Sequence, residues 1–432
     1  MTDAPHPTRS ELEALQLEQL RSLVAELFPA NKFYARKLQS AGITFDVASI
    51  ADFAARFPFT TKAELVADQL AHPPFGNNLT YPLNRYTRFH QTSGTSGVPL
   101  RWLDTPESWE AMLECWGEVF RTAGVGAGDR VLFAFSFGPF LGFWLAFEAA
   151  ARRGTLCLPG GGLSSAARLR LMRDNGVNVL CCTPTYALRL AEVAAEEKIA
   201  AATFGVKTII VAGEPGGSVP ATRAKLESLW PGARILDHHG MTEVGPVTLE
   251  CPAKSGVLHV MESAYYAEVI DPLTSQPASR GELVLTTLVR TGSPLLRYRT
   301  GDLVKCRIQN AECRTEPCEC GRFDLALEGG ILGRVDDMII VRGVNIYPSA
   351  IEEIIRGFAE VAEYRVHVST TQALTELRVE IEPGPTAAAP QALAIQLEQI
   401  FHQTFALRVP VSVVAAGSLP RFEMKAMRWV KR

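Results

Sequence analysis

The stretch Val206-Lys-Thr-Ile-Ile-Val-Ala-Gly-Glu-Pro-Gly-Gly217 decides the fold class. Val206–Ala212 is dominated by β-branched side chains, as a strand buried on both faces requires, and the glycines that follow end it in a loop. Upstream, Val179-Leu-Cys-Cys-Thr183 reads as a second strand and Tyr186–Glu197 as the helix between the two; downstream, Ala221–Leu229 reads as the next helix. The pattern extends toward the N-terminus as strands Val131–Phe137 and Thr155–Leu158 and helices Glu107–Ala123, Leu141–Arg152 and Ala166–Asn175. This alternation predicts an α/β fold with a mostly parallel sheet flanked by helices on both faces. An N-terminal amphipathic helix is expected to open on a capping box, Ser10 with Glu13, and to carry Leu12, Leu15, Leu20, Leu23 and Leu27 on one side. After Gly240 the texture changes to short strands and turns, among them Tyr265–Ile270, Gly281–Thr286 and Gly301–Arg307.

A boundary is expected near Gly333-Arg334. Beyond it come a strand (Met338–Arg342), a helix (Ser349–Phe358), two strands (Tyr364–Val368 and Glu376–Glu382), a helix (Ala392–Phe405) and a strand (Val409–Val414). That βαββαβ string suffices for a small α+β domain. The expected organisation is therefore a large N-terminal domain, residues 1–333, with a small β-rich part at about 240–333, and a small mobile C-terminal domain, residues 334–432.

Composition narrows the function. In 432 residues, 47% hydrophobic content excludes a disordered chain, and 43 Lys+Arg against 46 Asp+Glu argues against a general nucleic-acid binder. Val131–Phe147 is uncharged but short, and Gly138-Pro139 interrupts it, so no membrane span is expected. Met1–Glu11 lacks a basic-then-apolar leader, and nine cysteines make an odd set that does not suggest a disulfide framework. A soluble, cytoplasmic protein is the expectation.

Several stretches carry chemistry. Gln91-Thr-Ser-Gly-Thr-Ser-Gly-Val-Pro99 offers hydroxyls and glycines suited to phosphate oxygens, although an ordinary Ser/Gly loop would read the same and the Walker A ending is absent. Val211-Ala-Gly-Glu-Pro-Gly-Gly217 lies at the carboxyl end of a strand, where open α/β sheets bind ligands; a plain turn is the alternative. Asp237-His-His-Gly-Met-Thr-Glu243 packs two acids, two imidazoles and a hydroxyl around one glycine, either histidine of which could equally be a core residue. In Tyr298-Arg-Thr-Gly-Asp302, Asp302 could be a surface acid or the acceptor for a ribose diol. Gly333-Arg-Val-Asp-Asp337 could serve as a hinge. Leu419-Pro-Arg-Phe-Glu-Met-Lys425 lies in a basic tail that would ordinarily be a solvated end.

The cysteines suggest a metal. Cys251 and His259 flank Gly256, and Cys318-Glu-Cys320-Gly321 forms a knuckle-like turn, so Cys251, His259, Cys318 and Cys320 are expected to hold a structural Zn²⁺ that staples the β-rich part. Free thiols, or Cys306 or Cys313 in place of one ligand, are the alternatives.

In this order, from Phe59-Thr-Thr-Lys62 to Lys425, the stretches resemble the adenylate-forming (acyl/aryl-CoA ligase, AMP-binding) superfamily, and within it the phenylacetate-CoA ligase-like branch. The resemblance implies an AMP-forming acid-thiol ligase. A carboxylic acid is activated by ATP to acyl-AMP with release of pyrophosphate, then transferred to coenzyme A. Transfer to a carrier-protein thiol or an amine, or a non-catalytic nucleotide- or acyl-binding homologue, are the alternatives. It assigns Lys425, Glu243 and Thr242 to catalysis, with Glu243 facing Mg²⁺. It assigns Thr92, Ser93, Gly94, Thr95, Ser96 and Gly97 to the pyrophosphate end of ATP, and Gly213, Glu214 and Pro215 to the adenine pocket. Asp237, His238, His239, Gly240 and Met241 go to the nucleotide and acyl group, Asp302 to the ribose, and Arg334 to the nucleotide as well. Asp336 becomes the hinge. Phe135, Phe140, Ala212, Gly213 and His239 are expected to line the acid pocket, which favours an aryl or arylacetic acid. ATP/AMP, Mg²⁺, coenzyme A and Zn²⁺ are the expected cofactors and co-substrates, and the branch suggests a homodimer with no nucleic-acid or membrane partner. Val98 stands where lysine is frequent in the superfamily, and His239 where many relatives have tyrosine.

Overall fold

The strands Val179–Cys182 and Thr208–Ala212 pair in parallel, Val179 beside Thr208 and Cys182 beside Val211, with the helix Pro184–Glu196 between them in the chain. The computed structural model describes residues 6–43, 46–92, 98–135, 137–306, 316–335, 337, 339–342, 344–371, 374–422 and 426–431. The expected class is found: a large N-terminal α/β part with a parallel core sheet flanked by helices and smaller antiparallel sheets, and a separate small C-terminal α+β region. The chain divides into two compact units, residues 1–161 with 237–331 and residues 162–236 with 332–432.

In the first unit, Arg130–Phe133 pairs in parallel with Leu156–Pro159, and the helix Leu141–Arg152 follows in the chain as expected. The strand expected at Val131–Phe137 stops at Phe133, opposite Pro159, its last ladder bond being the Gly160 amide to the Phe133 carbonyl at 2.9 Å. Residues 134–135 and 137–140 belong to no strand or helix, and Ser136 lies outside the described residues. Tyr265–Ile270, Arg280–Thr287 and Tyr298–Lys305 form an antiparallel meander, the last strand starting earlier than expected because Tyr298 pairs with Leu285. Thr248–Glu250, Val257–Val260 and Ala326–Glu328 form a second antiparallel sheet.

The N-terminal helix, Arg9–Ala30, is capped by Thr8 with Glu11, not by Ser10 with Glu13. Both pairs fit the capping pattern, but Thr8 is followed at once by helical Arg9, and its hydroxyl meets the Glu11 amide. Leu12, Leu20, Leu23 and Leu27 are buried, the last three in a cluster with Tyr34, Phe53, Phe57 and Leu296. Each such side chain contributes roughly 2 kcal/mol of burial. Leu15 departs from expectation and is 38% exposed, because its position lies off the buried stripe.

In the second unit, the C-terminal sheet orders as Val411–Val413, Leu374–Pro383, Val361–Thr371 and Trp429–Lys431. The central pair is antiparallel and both flanks are parallel. Helices Pro348–Arg356 and Pro390–Phe405 supply Ile351, Ile355, Leu397 and Phe401 to its core, against Val366, Val379 and Ile381. Two elements were not expected. Ile339–Val341 turns back into a hairpin with Val344–Ile346, and the basic tail ends as a strand with Arg428 buried instead of as a solvated end. Among the described residues, no helix is long and apolar enough to cross a membrane.

Candidate active site and metal centre

The acidic and imidazole cluster is built where the strand Arg234–His238 ends. The Asp237 amide donates to Glu250, and the His238 amide to Asp237 Oδ1 at 3.0 Å. His238 is buried against Trp116, with ring centroids 4.3 Å apart, and its Nδ1 lies 2.6 Å from the Thr248 carbonyl. Burial pushes its pKa down to about 3, so the ring is neutral, with Nδ1–H donating. It is the core histidine of the pair. His239 differs: its amide donates to Thr248 Oγ1 at 2.9 Å, and its Nε2 sits 3.2 Å from Asp302 Oδ2.

A tight hairpin, Gly240–Met241 against Gly245–Pro246, follows. A Cβ on Gly240 would lie 2.8 Å from the Gly245 carbonyl oxygen, so the approach needs glycine. Glu243 is buried and accepts from the Tyr298 hydroxyl at 3.0 Å; Tyr298 opens the strand that carries Asp302. Glu243 is thus tied to the strand that carries Asp302, and Asp302 lies beside His239, all within the first unit.

Beneath these residues lies a pair that sequence reading missed. Arg290 donates to both oxygens of Asp104, at 2.6 and 2.7 Å, and to the Thr242 carbonyl at 2.9 Å. Both side chains are buried. Burial alone would raise the Asp104 carboxyl, and Arg290 together with His90 more than reverses this, holding it below the usual carboxylate range. These partners are 186 residues apart, and no local pattern announces them.

Of the hydroxyl loop, Ser93, Gly94, Thr95, Ser96 and Gly97 lie outside the described residues. Thr92 is buried and closes the base of the loop: its Oγ1 accepts from the Leu100 amide at 3.0 Å, and its own amide meets the Leu100 carbonyl at 2.9 Å. On the aromatic loop, Phe135 is buried and packs at 5.7 Å from Phe137, which meets Trp144 edge-on at 4.9 Å. Trp144 Nε1 donates to Gly138 at 2.9 Å, closing the loop, and Phe140 is half-buried at the start of the helix Leu141–Arg152.

In the second unit, Thr208–Ala212 ends in Gly213, and Glu214 turns its carboxylate to two backbone amides, those of Thr185 at 2.9 Å and Ala426 at 2.8 Å. The Gly213–Pro215 backbone is what remains to meet a ligand. Arg334 is half-buried, and its carbonyl accepts from the Asp337 amide at 3.3 Å. Asp336 and Lys425 lie outside the described residues.

The four expected metal ligands come together in the first unit. One donor atom from each of Cys251, His259, Cys318 and Cys320 lies within 4.8 Å of the others. Cys251 Sγ is 3.7 Å from Cys318 Sγ, and Cys320 Sγ is 3.4 Å from His259 Nε2. Zinc bonds of about 2.3 Å to sulfur and 2.0 Å to nitrogen, at tetrahedral angles, require edges of about 3.8 and 3.5 Å. His259 Nδ1 lies 3.2 Å from the Asp324 carbonyl, the outer contact that turns Nε2 toward a metal. Gly321, at φ +84°, closes the knuckle, its amide donating to Cys318 at 2.7 Å. Burial raises the Cys251 and Cys320 thiols, an effect a bound cation would reverse. Cys306 stands apart, its sulfur 3.4 Å from the Ser279 carbonyl, and Cys313 lies outside the described residues.

Comparison with known proteins supplies a family. Residues 90–287 match the AMP-binding enzyme family, and residues 343–432 match the AMP-binding enzyme C-terminal domain. The chain is 31% identical to the phenylacetate-coenzyme A ligase of Thermus thermophilus, over 98% of this chain and 96% of that protein. It is 30% identical to the phenylacetate-coenzyme A ligase of Escherichia coli, over 97% and 94%. A crystal structure of 2-hydroxyisobutyryl-CoA ligase in the postadenylation state, in complex with R3-HIB-AMP, superposes with a TM-score of 0.92 at 29% identity, covering 100% of this chain and 93% of that one. With similarity running through nearly its whole length, the chain belongs to the AMP-binding, adenylate-forming enzymes, on their phenylacetate-coenzyme A ligase-like branch.

Proposed function

We propose that the protein is an acid-thiol ligase that activates a carboxylic acid with ATP and transfers the acyl group to coenzyme A. The observation that carries this reading is the placement of Asp302 beside His239, and of Glu243 against Tyr298 on the strand that bears Asp302, in a chain of this family. In the first step, a carboxylate oxygen bonds to the α-phosphorus and the bond to the departing pyrophosphate breaks. In the second, the coenzyme A sulfur bonds to the acyl carbon, the thiol proton is lost and AMP leaves.

Charge gathers on phosphate oxygens in the first step, and catalysis there is chiefly electrostatic. Mg²⁺ held by Glu243 would supply part of the neutralising charge. The Thr242 hydroxyl meets the α-phosphate, and Lys425 bridges the attacking carboxylate and that phosphate. Asp302, oriented by His239, accepts the ribose hydroxyls, and the Gly213–Pro215 backbone faces adenine. The hydroxyl loop Thr92–Gly97 takes the pyrophosphate end, with Thr92 as its anchor. Asp336 is the pivot of a C-terminal domain, residues 334–432, that withdraws Lys425 for the second step.

For the acid, the aromatic loop around Phe135 and Phe140 supports an aryl or arylacetic substrate. Zn²⁺ at Cys251, His259, Cys318 and Cys320 is structural, since four protein ligands leave no open position. Dependence on ATP and coenzyme A suits the cytoplasm, and the branch suggests a homodimer.

The test is pyrophosphate release over a panel of benzoic, arylacetic, short hydroxy and medium-chain acids, with and without coenzyme A. Sustained release with aryl or arylacetic acids, dependent on coenzyme A, is expected. Turnover confined to aliphatic acids would overturn the substrate class, and no release with any acid would overturn the adenylation.

A further inference from the structure

We propose that Glu214 is a positioning residue for the adenylation lysine, an inference that rests on the reading of Lys425 above. Ala426 follows Lys425 directly, and its amide donates to Glu214 Oε2 at 2.8 Å. The other oxygen, Oε1, accepts from the amide of Thr185 at 2.9 Å, in the first turn of the helix Pro184–Glu196. One carboxylate therefore ties the chain beside the lysine to the helix that follows a core strand.

The surroundings show why this contact sets the position. The tail is anchored on both sides of the lysine segment. Upstream, Arg421 donates to both oxygens of Glu382, at 3.0 and 2.6 Å, and the Leu419 amide adds a contact of 3.1 Å to the same carboxylate. Downstream, Arg428 donates to Glu363 at 2.7 and 3.2 Å, and Trp429 enters the C-terminal sheet beside Val366. Those anchors fix the segment chiefly to the C-terminal region itself, although Arg421 Nε also lies 3.5 Å from Glu192 on the helix Pro184–Glu196. Glu214 instead belongs to the loop that ends the strand Thr208–Ala212. Arg428 follows the same course more weakly, its Nη1 lying 3.4 Å from Thr185 Oγ1. A lysine must be held to within a fraction of an ångström of the reacting oxygens to stabilise charge there, and a charge-assisted bond to the adjacent amide provides that registration. The contact is useful only while Lys425 is needed, so its loss should fall on the first step.

Glu214→Gln and Glu214→Asp test this; the shorter aspartate keeps the charge but cannot reach both amides. Melting temperature confirms folding. Single-turnover acyl-AMP formation at saturating ATP, the KM for ATP, and thioester formation from preformed acyl-AMP are then measured. Adenylation is expected to fall about 10- to 100-fold, the value of one hydrogen bond to a charged group, with ATP KM and the thioester step near parental values. In a Lys425→Ala background, Glu214→Gln should cause no further loss, since it acts through the lysine. Equal loss of both steps, a raised KM for ATP alone, or additive losses in the double variant would overturn the proposal. Unchanged adenylation by both Glu214 variants would also overturn it while leaving the general reading intact, provided that Lys425→Ala still abolishes the step. Full adenylation by Lys425→Ala would remove both.

Discussion

Replacing Cys320 with serine should remove the proposed zinc and cost a calculable amount of stability. The sulfur stands 3.4 Å from His259 Nε2, and the four donor atoms lie within 4.8 Å of one another. The crosslink from His259 to Cys318 closes a loop of roughly sixty residues, for which chain-entropy reasoning gives about 4 kcal/mol. At about 2–4 °C per kcal/mol for a unit of this size, the melting temperature should fall by about 8–16 °C. Lys254 pairs with the largely exposed Glu319 at 2.7 Å, a contact that adds at most about 1 kcal/mol, and Arg322, just past the knuckle, pairs with Glu118 and Asp324 and holds its far side without the metal. The assay is elemental analysis of the purified protein beside calorimetry, with X-ray absorption to read three sulfurs and one nitrogen. Cys306→Ser, whose sulfur faces the Ser279 carbonyl, is the control and should keep its metal. A parent protein without stoichiometric zinc, and a Cys320→Ser variant that melts at the parental temperature, would refute the reasoning.

Arg290→Lys keeps the positive charge but cannot serve both Asp104 oxygens and the Thr242 carbonyl, so adenylation should fall roughly tenfold and require more Mg²⁺. Parental Mg²⁺ dependence would show that the pair does not position Thr242 and Glu243. Arg290→Gln, which takes the guanidinium from the buried Asp104 and leaves it His90 at 3.7 Å, should cost about 3 kcal/mol of stability in chemical denaturation. His238 gives a pH signature. Its folded pKa, about 3, lies below the unfolded value near 6.5, so between these values the unfolded chain binds the extra proton. Its contribution is intact above pH 6.5 and declines by about 1.4 kcal/mol per pH unit as the pH falls toward 3. His238→Asn, able to donate to the same Thr248 carbonyl, should flatten the acid limb by about one proton; an unchanged slope would count against a buried neutral imidazole.

Legibility in the sequence followed locality. Leu141–Arg152 and Tyr265–Ile270 have the bounds that period and composition indicate, because each is a local, mostly apolar run whose periodicity needs no distant partner to be read. The hairpin Ile339–Val341 with Val344–Ile346 was not legible: Arg342 takes φ +50° at its turn, a conformation that sequence assigns to glycine or asparagine. Trp429–Lys431 is short, basic and paired with a strand about sixty residues earlier, so nothing local marks it. The grouping of Cys251, His259, Cys318 and Cys320 was readable because Cys-x-Cys-Gly is a local signature, whereas the place of Cys306 needed its contact with Ser279. Glu214 and Arg290 carry their information in partners 212 and 186 residues distant. Glu214 could be read as part of a loop, but not as a clamp on the tail.

The most direct test separates the two half-reactions in Lys425→Ala. Rapid-quench single turnovers with labelled acid and ATP measure acyl-AMP formation, and preformed acyl-AMP with coenzyme A measures thioester formation. Acyl-AMP formation should fall by roughly 10² or more, the scale of one transition-state donor, while thioester formation stays near the parental rate. Parental acyl-AMP formation by the variant would contradict the assignment of Lys425, and the parent's failure to form acyl-AMP with any acid would contradict the account as a whole.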